Sequence, residues 1–251
     1  MARILSNETS LSRQQKKLGR ETRVLRNLLW AESGLAVLLL AGGAVLWLMG
    51  KGTSLFVVGV IFGFLAYAHH LKTKQNARDE KYMAAGLRGE NEVAEMLAQN
   101  LDNTYYLYND LMIRTGFTRA QIDHLVVCPK GIFVIETKNW RGRITGDEEG
   151  RSWLQYRAPD LPPRPLSNPI LQNRRHVMVL EKFLRSGGVP DLPLIPMLVF
   201  TGRNTTLDIK NQKTLLLWPR ETVDYILRHE PGKTATEAEV DAVIHRLQRC
   251  V

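Results

Sequence analysis

The chain has 251 residues, with 34 Lys/Arg against 25 Asp/Glu for a net charge of +9, and two cysteines. That length leaves room for one ordinary domain plus an accessory element, while Cys128 and Cys250, neither with a CxxC partner, exclude a disulfide framework or a cysteine-based zinc site and fit a reducing compartment. The charge is unevenly held: residues 1–81 carry 12 Lys/Arg against 5 Asp/Glu and residues 82–251 carry 22 against 20, so global basicity is no argument for nucleic-acid binding by the body of the protein.

Residues 1–32 read as a basic cytoplasmic segment containing Arg13, Lys16, Lys17, Arg20, Arg23 and Arg26. No charge occurs from Gly34 to Met49, nor, after the connector Gly50–Ser54, from Leu55 to Ala68. Each run falls a little short of the ~20 residues that span a bilayer, and interfacial residues at both ends complete the span. Trp30, Trp47 and Tyr67 lie near those ends, where amphipathic aromatics favour the interface. The Gly-rich connector suits a tight turn. Gly59 and Gly63 form a GxxxG pair, which permits close helix approach in lipid and a homo-oligomer built on it. Residues 33–70 are therefore expected to form a transmembrane hairpin in the lipid bilayer. Lys72, Lys74, Arg78 and Lys81 follow it and only Lys51 lies in the connector. This places both termini on the cytoplasmic side of the cell inner (plasma) membrane. A signal peptide fits less well, because the first run starts far from Met1 and a second follows at once. A hairpin buried in a soluble core is the other alternative, and neither run offers the polar face it would need. A shallow re-entrant hairpin would leave the domain on the same side.

Residues 71–82 read as a juxtamembrane linker. Leu87, Val93, Met96, Leu97 and Leu101 then recur at helical spacing, predicting an amphipathic helix from about Tyr82 to Asn100. A turn at Asp102-Asn103 and a short strand at Tyr105–Tyr108 follow. Gln121–Cys128 and Ile132–Lys138, joined by Pro129-Lys130-Gly131, predict a β-hairpin. Residues 140–165, rich in Gly, Arg and Pro, suggest a strand or two with long loops. A helix over Asn168–Leu184 is stopped by Gly187-Gly188. Strands at Leu194–Phe200 and Leu215–Trp218 and helices at Glu221–Arg228 and Glu237–Arg249 complete an α/β order without internal repeat. Residues 201–251 either finish the sheet or form an appended α/β extension.

Because strand residues alternate faces, Glu136 and Lys138 are expected to point with Val134, and Gln121 with Asp123. Pairing through the turn gathers two acids and a lysine at one end of a sheet, and Glu90, in Gly86-Leu-Arg-Gly-Glu-Asn91, offers a third carboxylate. Carboxylates are natural Mg²⁺ ligands, the metal polarises a phosphate and helps make hydroxide, and a lysine can stabilise charge building on that phosphate. Glu-x-Lys alone is common on structural surfaces; the combination of spacing, alternation and residue type carries the signal. His124 reads as packed in the sheet, and Trp140 and Trp153 as core or rim. Arg141, Arg143, Arg151, Arg174 and Arg175 are weak candidates for phosphate contacts, since scattered arginines are ordinarily solvated surface.

Several stretches resemble the NERD (nuclease-related) domain, a branch of the PD-(D/E)XK nuclease superfamily. They are Gly86-x-x-Gly-Glu90, Gln121-Ile-Asp-His124, Gly131 to Asn139, Gly142 to Gly146 with Trp153, and Asn168-Pro-x-x-x-Gln-Asn173, together covering about residues 83–200. The resemblance implies a restriction-endonuclease-like core, a central mixed sheet flanked by helices. It implies Asp123, Glu136 and Lys138 as the catalytic core with Gln121 beside it, and Glu90, Asp123 and Glu136 as ligands of Mg²⁺ or Mn²⁺. Ile122 stands where the superfamily name has Pro, at a position that varies widely. The expectation is a membrane-anchored, metal-dependent endonuclease acting on DNA. The near-neutral domain points to short, distorted or single-stranded segments rather than a long duplex. The alternatives are a catalytically silent module acting in interaction or signalling at the membrane, or a membrane scaffold.

Overall fold

A computed structural model describes residues 1–5, 10–51 and 54–250, without the side chains of Ser10 and Leu11. Gly52 and Thr53 of the connector lie outside the described residues. The chain divides into two compact units, Ser10–Ala85 and Met1–Thr9 with Gly86–Val251.

The first unit is helical. Helix α1 spans Ser10–Leu48, and α2 starts at Ser54 and runs unbroken to Asn100. The residues read as a juxtamembrane linker are thus helical, since no Pro or cap interrupts them. Gly50 (φ 71) ends α1: its N–H donates to Trp47 O, and Lys51 N–H donates to Leu46 O at 2.8 Å. A left-handed glycine satisfies the last orphan carbonyls in this way. Both helices are long and apolar enough to cross a membrane, and only 11% of each apolar stretch is buried. A core helix of a soluble domain would be mostly covered. Gly43 and Gly59 let the pair close: a Cβ on Gly59 would sit 2.9 Å from Leu40, and one on Gly43 2.5 Å from Phe56 N. A Cβ on Gly63 would meet nothing within 4 Å. Of the GxxxG pair, then, Gly59 makes the close contact within the chain.

The second unit holds two sheets. Strands β1 (Arg3–Ile4), β2 (Tyr106–Thr115), β3 (Thr118–Cys128), β4 (Gly131–Lys138), β8 (Leu194–Phe200) and β10 (Leu215–Leu217) form a six-stranded mixed sheet in the order β1-β2-β3-β4-β8-β10. Strands β5 (Gly142–Asp147), β6 (Ser152–Tyr156), β7 (Arg164–Ser167) and β9 (Thr205–Lys210) form the second, in the order β7-β6-β5-β9. The β3–β4 hairpin is antiparallel, whereas β4 and β8 pair in parallel from Ile132↔Leu194 to Lys138↔Phe200. Helices α3 (Pro169–Arg185), α4 (Pro219–Arg228) and α5 (Glu237–Leu247) cover the sheet together with the last turns of α2.

Alternation divides the apolar residues of the hairpin between two cores. Leu125, Val127, Ile132 and Val134 pack with Leu180 and Phe183 of α3 and Val243 and Leu247 of α5. Val126, Cys128, Phe133 and Ile135 pack with Val93 and Leu97 of α2 and Ile226 of α4. Residues 201–251 supply β9, β10, α4 and α5, so they complete both sheets and both cores rather than forming an appended unit. The N-terminal segment also departs from expectation: Arg3 and Ile4 pair in parallel with Tyr106 and Leu107. Residues on both sides of the helical hairpin therefore belong to one sheet.

The second sheet explains the Gly-rich motif. Gly142 (φ 83) lies against the Tyr156 carbonyl, and Gly146 against the indole of Trp153, where a Cβ would collide. Trp153 is fully buried and its Nε1–H donates to Asp147 O at 3.0 Å. Trp140 meets Trp153 and Phe200 edge-on, at 6.3 and 6.1 Å between centroids. Both tryptophans thus pack inside this unit.

Candidate active site

The centre of the site is a place where the sheet comes apart. Strands β3 and β4 pair as far as His124↔Ile135 and no farther toward Asp123 and Glu136. The Asp123 carboxylate fills the gap, with Oδ2 accepting the Thr137 backbone N–H at 2.8 Å. On the other side β2 also lets go: Asp110, between the pairs Asn109↔His124 and Leu111↔Ile122, has φ 55. Asn and Asp tolerate this left-handed conformation best among non-glycine residues. Strict alternation fails here as a result. Tyr108 and Leu111 enter the same core, as do Ile122 and Leu125. The expected common face of Gln121 and Asp123 is thus replaced by a step at Asp123, and Gln121 instead donates from Nε2 to Asp110 Oδ1 at 2.7 Å.

Glu136 is buried, at 1% exposure, on the strand face that α3 covers. Its Oε1 is ion-paired to Lys138 Nζ. Its Oε2 lies 3.2 Å from His176 Nδ1 of α3, but the two are not aligned for a hydrogen bond, so both atoms are without one. Burial alone would raise the Glu136 carboxyl, but Lys138 and His176 override it and hold it below its ordinary value. Burial likewise opposes the Lys138 charge, and Glu136 and Asp123 outweigh it, raising the ammonium above its usual value. Asp123 goes the other way: burial, with the Glu136 charge next, lifts it well above the carboxylate range.

Glu90 reaches the site from α2. Gly89 makes that possible, because a Cβ there would stand 2.5 Å from Thr201 Oγ1 and 2.9 Å from Asn139 Cβ. The helix can approach the ends of β4 and β8 only with no side chain at this position. Burial, then the Asp110 and Glu136 charges, push the Glu90 carboxyl up to about 7. The carboxylates of Glu90, Asp110, Asp123 and Glu136 therefore share one electrostatic neighbourhood with Lys138. Among the described residues no three His, Cys, Asp or Glu side chains stand ready to hold a metal.

Two asparagines fix the frame. Asn168 caps α3, its Oδ1 accepting Ile170 N–H at 2.8 Å, while its Nδ2 donates to Glu148 O and Gly150 O of the β5–β6 turn. Asn173 Nδ2 donates to Val134 O and Met197 O, at 3.0 Å each, tying α3 to β4 and β8. These bonds hold His176 over Glu136. His124 is buried, with Nδ1 against Asn109 Oδ1 at 2.7 Å, and burial lowers its imidazole to about 3.

The candidate arginines part company. Arg174 is bound to Glu148, which is buried, and to Glu149. Glu148 also accepts Thr214 N–H at 2.9 Å, so this ion pair braces the second sheet. Arg143 pairs with Asp208 at 2.7 Å. Arg141 and Arg175 are exposed and form no ion pair among the described residues. Two members of the neighbourhood, Asp110 and His176, do not stand out in the sequence pattern. A turn-prone Asn-Asp pair inside a strand is the available signal for the first; His176 gives none beyond its spacing on a helix.

Residues 85–201 match the family model of the nuclease-related domain. Over 118 residues the chain is 33% identical to an uncharacterized protein of Bacillus anthracis, a stretch covering 46% of this chain and 52% of that protein. The chain thus spans about half the length of the curated relative it matches. No solved structure matches it.

Proposed function

With residues 85–201 forming a nuclease-related domain, we propose that the chain is a membrane-anchored, divalent-metal-dependent nuclease that hydrolyses phosphodiester bonds, with DNA as the polymer. The observation that carries this reading is the buried Glu136 carboxylate beside Asp123 and Lys138, with Oε2 facing only His176 Nδ1, at 3.2 Å and out of line for a hydrogen bond. A buried carboxylate oxygen whose one partner is poorly aligned has spare capacity to accept a further ligand. Mg²⁺ asks for only one or two carboxylates and keeps several waters, so Asp123 and Glu136 suffice as direct ligands, with Glu90 behind them. Mg²⁺ or Mn²⁺ bound there would polarise the phosphate and make hydroxide available near neutral pH. Lys138 stays protonated, held so by Glu136 and Asp123, and so serves as a fixed positive charge for the phosphate rather than as a base. Gln121 keeps Asp110 in place beside Glu90.

The bilayer is the proposed partner of residues 33–70, with both ends of the hairpin on the cytoplasmic side of the inner (plasma) membrane. Basic flanks support that orientation. The pairing of β1 with β2 supports it independently, because strands on either side of the hairpin must share a compartment to share a sheet. Gly59 and Gly63 share one helix face, and that face is turned to α1, with Gly59 against Leu40, so the GxxxG pair serves the hairpin before any contact between copies.

The closed Lys138–Glu136 pair favours the second reading, a silent module acting through protein contacts. Cleavage of a nucleic-acid panel by the full chain in Mg²⁺ or Mn²⁺ separates the two. Activity should vanish in Asp123→Ala and Lys138→Ala. Cleavage surviving in both would come from a contaminant and sink the nuclease reading.

A further inference from the structure

Beyond Asp123 the β2–β3 hairpin continues as an arm with two unlike faces. Leu111, Ile113, Ala120 and Ile122 are buried in the core that α3 and α5 share. The opposite face carries Met112, Arg114, Arg119 and Gln121. Register places Met112 across from Gln121 and Arg114 across from Arg119. The arm ends in a two-residue turn, Gly116 (φ 57) and Phe117, between the paired Thr115 and Thr118. Phe117 is fully exposed, at 110% of its reference area.

Two features of this arm are unfavourable for the chain alone. Directly opposed side chains in an antiparallel pair lie about 5 Å apart at Cβ, and like charges there destabilise the strands. Arg114 and Arg119 are both exposed, and neither has an ion pair among the described residues. A phenylalanine held bare at a hairpin tip gains nothing from the fold. Both features become favourable against one kind of ligand. A phosphate between two guanidinium groups converts repulsion to attraction, with the fork geometry arginine provides. An aromatic ring stacks on any nucleobase whose face is free.

We propose that the β2–β3 arm is a nucleic-acid-binding element of this domain, with Arg114 and Arg119 holding backbone phosphates and Phe117 stacking on an unpaired base. The proposal rests on the nuclease reading and sharpens it, because it names the substrate: a single-stranded or frayed segment, not intact duplex. Position favours nucleic acid over another polyanion. The arginines stand in the same row as Gln121, which is bonded to Asp110, whose charge acts on Glu90. Arg119 lies about 13 Å along the strand from Asp123, close enough for one short single strand to touch both. The near balance of 22 Lys/Arg against 20 Asp/Glu over residues 82–251 leaves little general field for gripping duplex, so a local arginine pair carries more of the contact.

The test uses the full chain in neutral phosphatidylcholine nanodiscs, with Asp123→Asn added to prevent cleavage, and a short fluorescent single-stranded oligonucleotide. Arg114→Ala/Arg119→Ala should weaken binding by about 10-fold or more and lower the slope of log affinity against log salt by about 1.4, the loss of two phosphate contacts. Arg114→Lys/Arg119→Lys should keep most of that slope. Phe117→Ala should cost about 10-fold on the single strand and little on blunt duplex, and Phe117→Trp should restore it. Unchanged affinity and slope in the double alanine variant, with Asp123-dependent cleavage intact in the parent, would overturn the arm and leave the nuclease standing. A parent chain that neither binds nor cleaves would remove both. Loss of binding to phosphatidylserine vesicles alone would assign the arm to a lipid surface and overturn the proposal too.

Discussion

Asp123 Oδ2 accepts the backbone N–H of Thr137 at 2.8 Å, and with that bond a side chain takes the place of a rung in the sheet. The carboxylate is therefore both structural and, in the proposed reaction, chemical, and the two roles separate by substitution. Asp123→Asn keeps an acceptor for Thr137 but not the charge. It should retain the parent thermal midpoint, or exceed it through relief of repulsion with Glu136, while cleavage falls by at least about 100-fold. Asp123→Ala leaves the Thr137 N–H unpaired and should cost about 1–3 kcal/mol in stability as well. Equal stability of the two variants in thermal melts would mean the Thr137 bond contributes nothing.

Glu90 gives a pH signature. Its carboxyl is pushed up from 4.5 to about 7 in the folded chain, first by burial and then by Asp110 and Glu136. A carboxyl raised on folding binds more protons in the folded state between those two values, so stability falls as pH rises through that window. Glu90→Gln removes the titration. It should raise the thermal midpoint by about 3 °C at about pH 8 and change it little at about pH 5. Adding Mg²⁺ or Mn²⁺ at the higher pH should stabilise the parent more than the variant. A variant less stable than the parent at the higher pH would show that Glu90 is not repelled by its neighbours.

His176 Nδ1 stands 3.2 Å from Glu136 Oε2 without forming an aligned hydrogen bond. An imidazole so placed orients a carboxylate without touching substrate, the arrangement by which outer groups tune metal ligands. His176→Ala should weaken Mn²⁺ binding by about 10–100-fold, measured by calorimetry on the full chain. His176→Asn, which keeps a donor near Nδ1, should recover part of it. Metal affinity unchanged in both would leave His176 a packing residue.

The β3–β4 hairpin is legible in the sequence because two apolar runs flank the turn at Pro129-Lys130-Gly131. Both faces of those strands are covered, so the runs need no polar alternation to be recognised. What the sequence conceals is nonlocal or irregular. The strand Arg3–Ile4 is two residues long and pairs with Tyr106–Leu107 about a hundred positions away, beyond the reach of any periodicity. The strand Thr205–Lys210 alternates between half-buried and exposed residues without a large apolar face. Glu148 sits in the run Asp147-Glu148-Glu149, which reads as a solvated turn, yet it is buried, and the backbone N–H groups of Lys213 and Thr214 hold its carboxyl below the usual range against the effect of burial. In the site, the meeting of Asp123, Glu136 and Lys138 is legible from spacing and strand pairing. The place of Asp110 is not, because its left-handed backbone breaks the alternation on which such a reading depends.

Gly89 offers a test of how the helix aims its acid. A Cβ at this position would meet Thr201 Oγ1 at 2.5 Å and Asn139 Cβ at 2.9 Å, so Gly89→Ala must displace α2 from the ends of β4 and β8 or push both neighbours aside. Helix propensity alone favours alanine by about 1 kcal/mol, so a net loss of stability would report the clash. The expected loss is about 1–3 kcal/mol. Thr201 Oγ1 is itself buried without a hydrogen bond, and Thr201→Ala should therefore be nearly neutral. Combined with Gly89→Ala it should return part of the lost stability, giving a coupling energy of about 1 kcal/mol in a double-mutant cycle. Cleavage should follow the same pattern, since the displaced helix carries Glu90. Strict additivity of the two substitutions would place the Gly89 requirement on Asn139 alone.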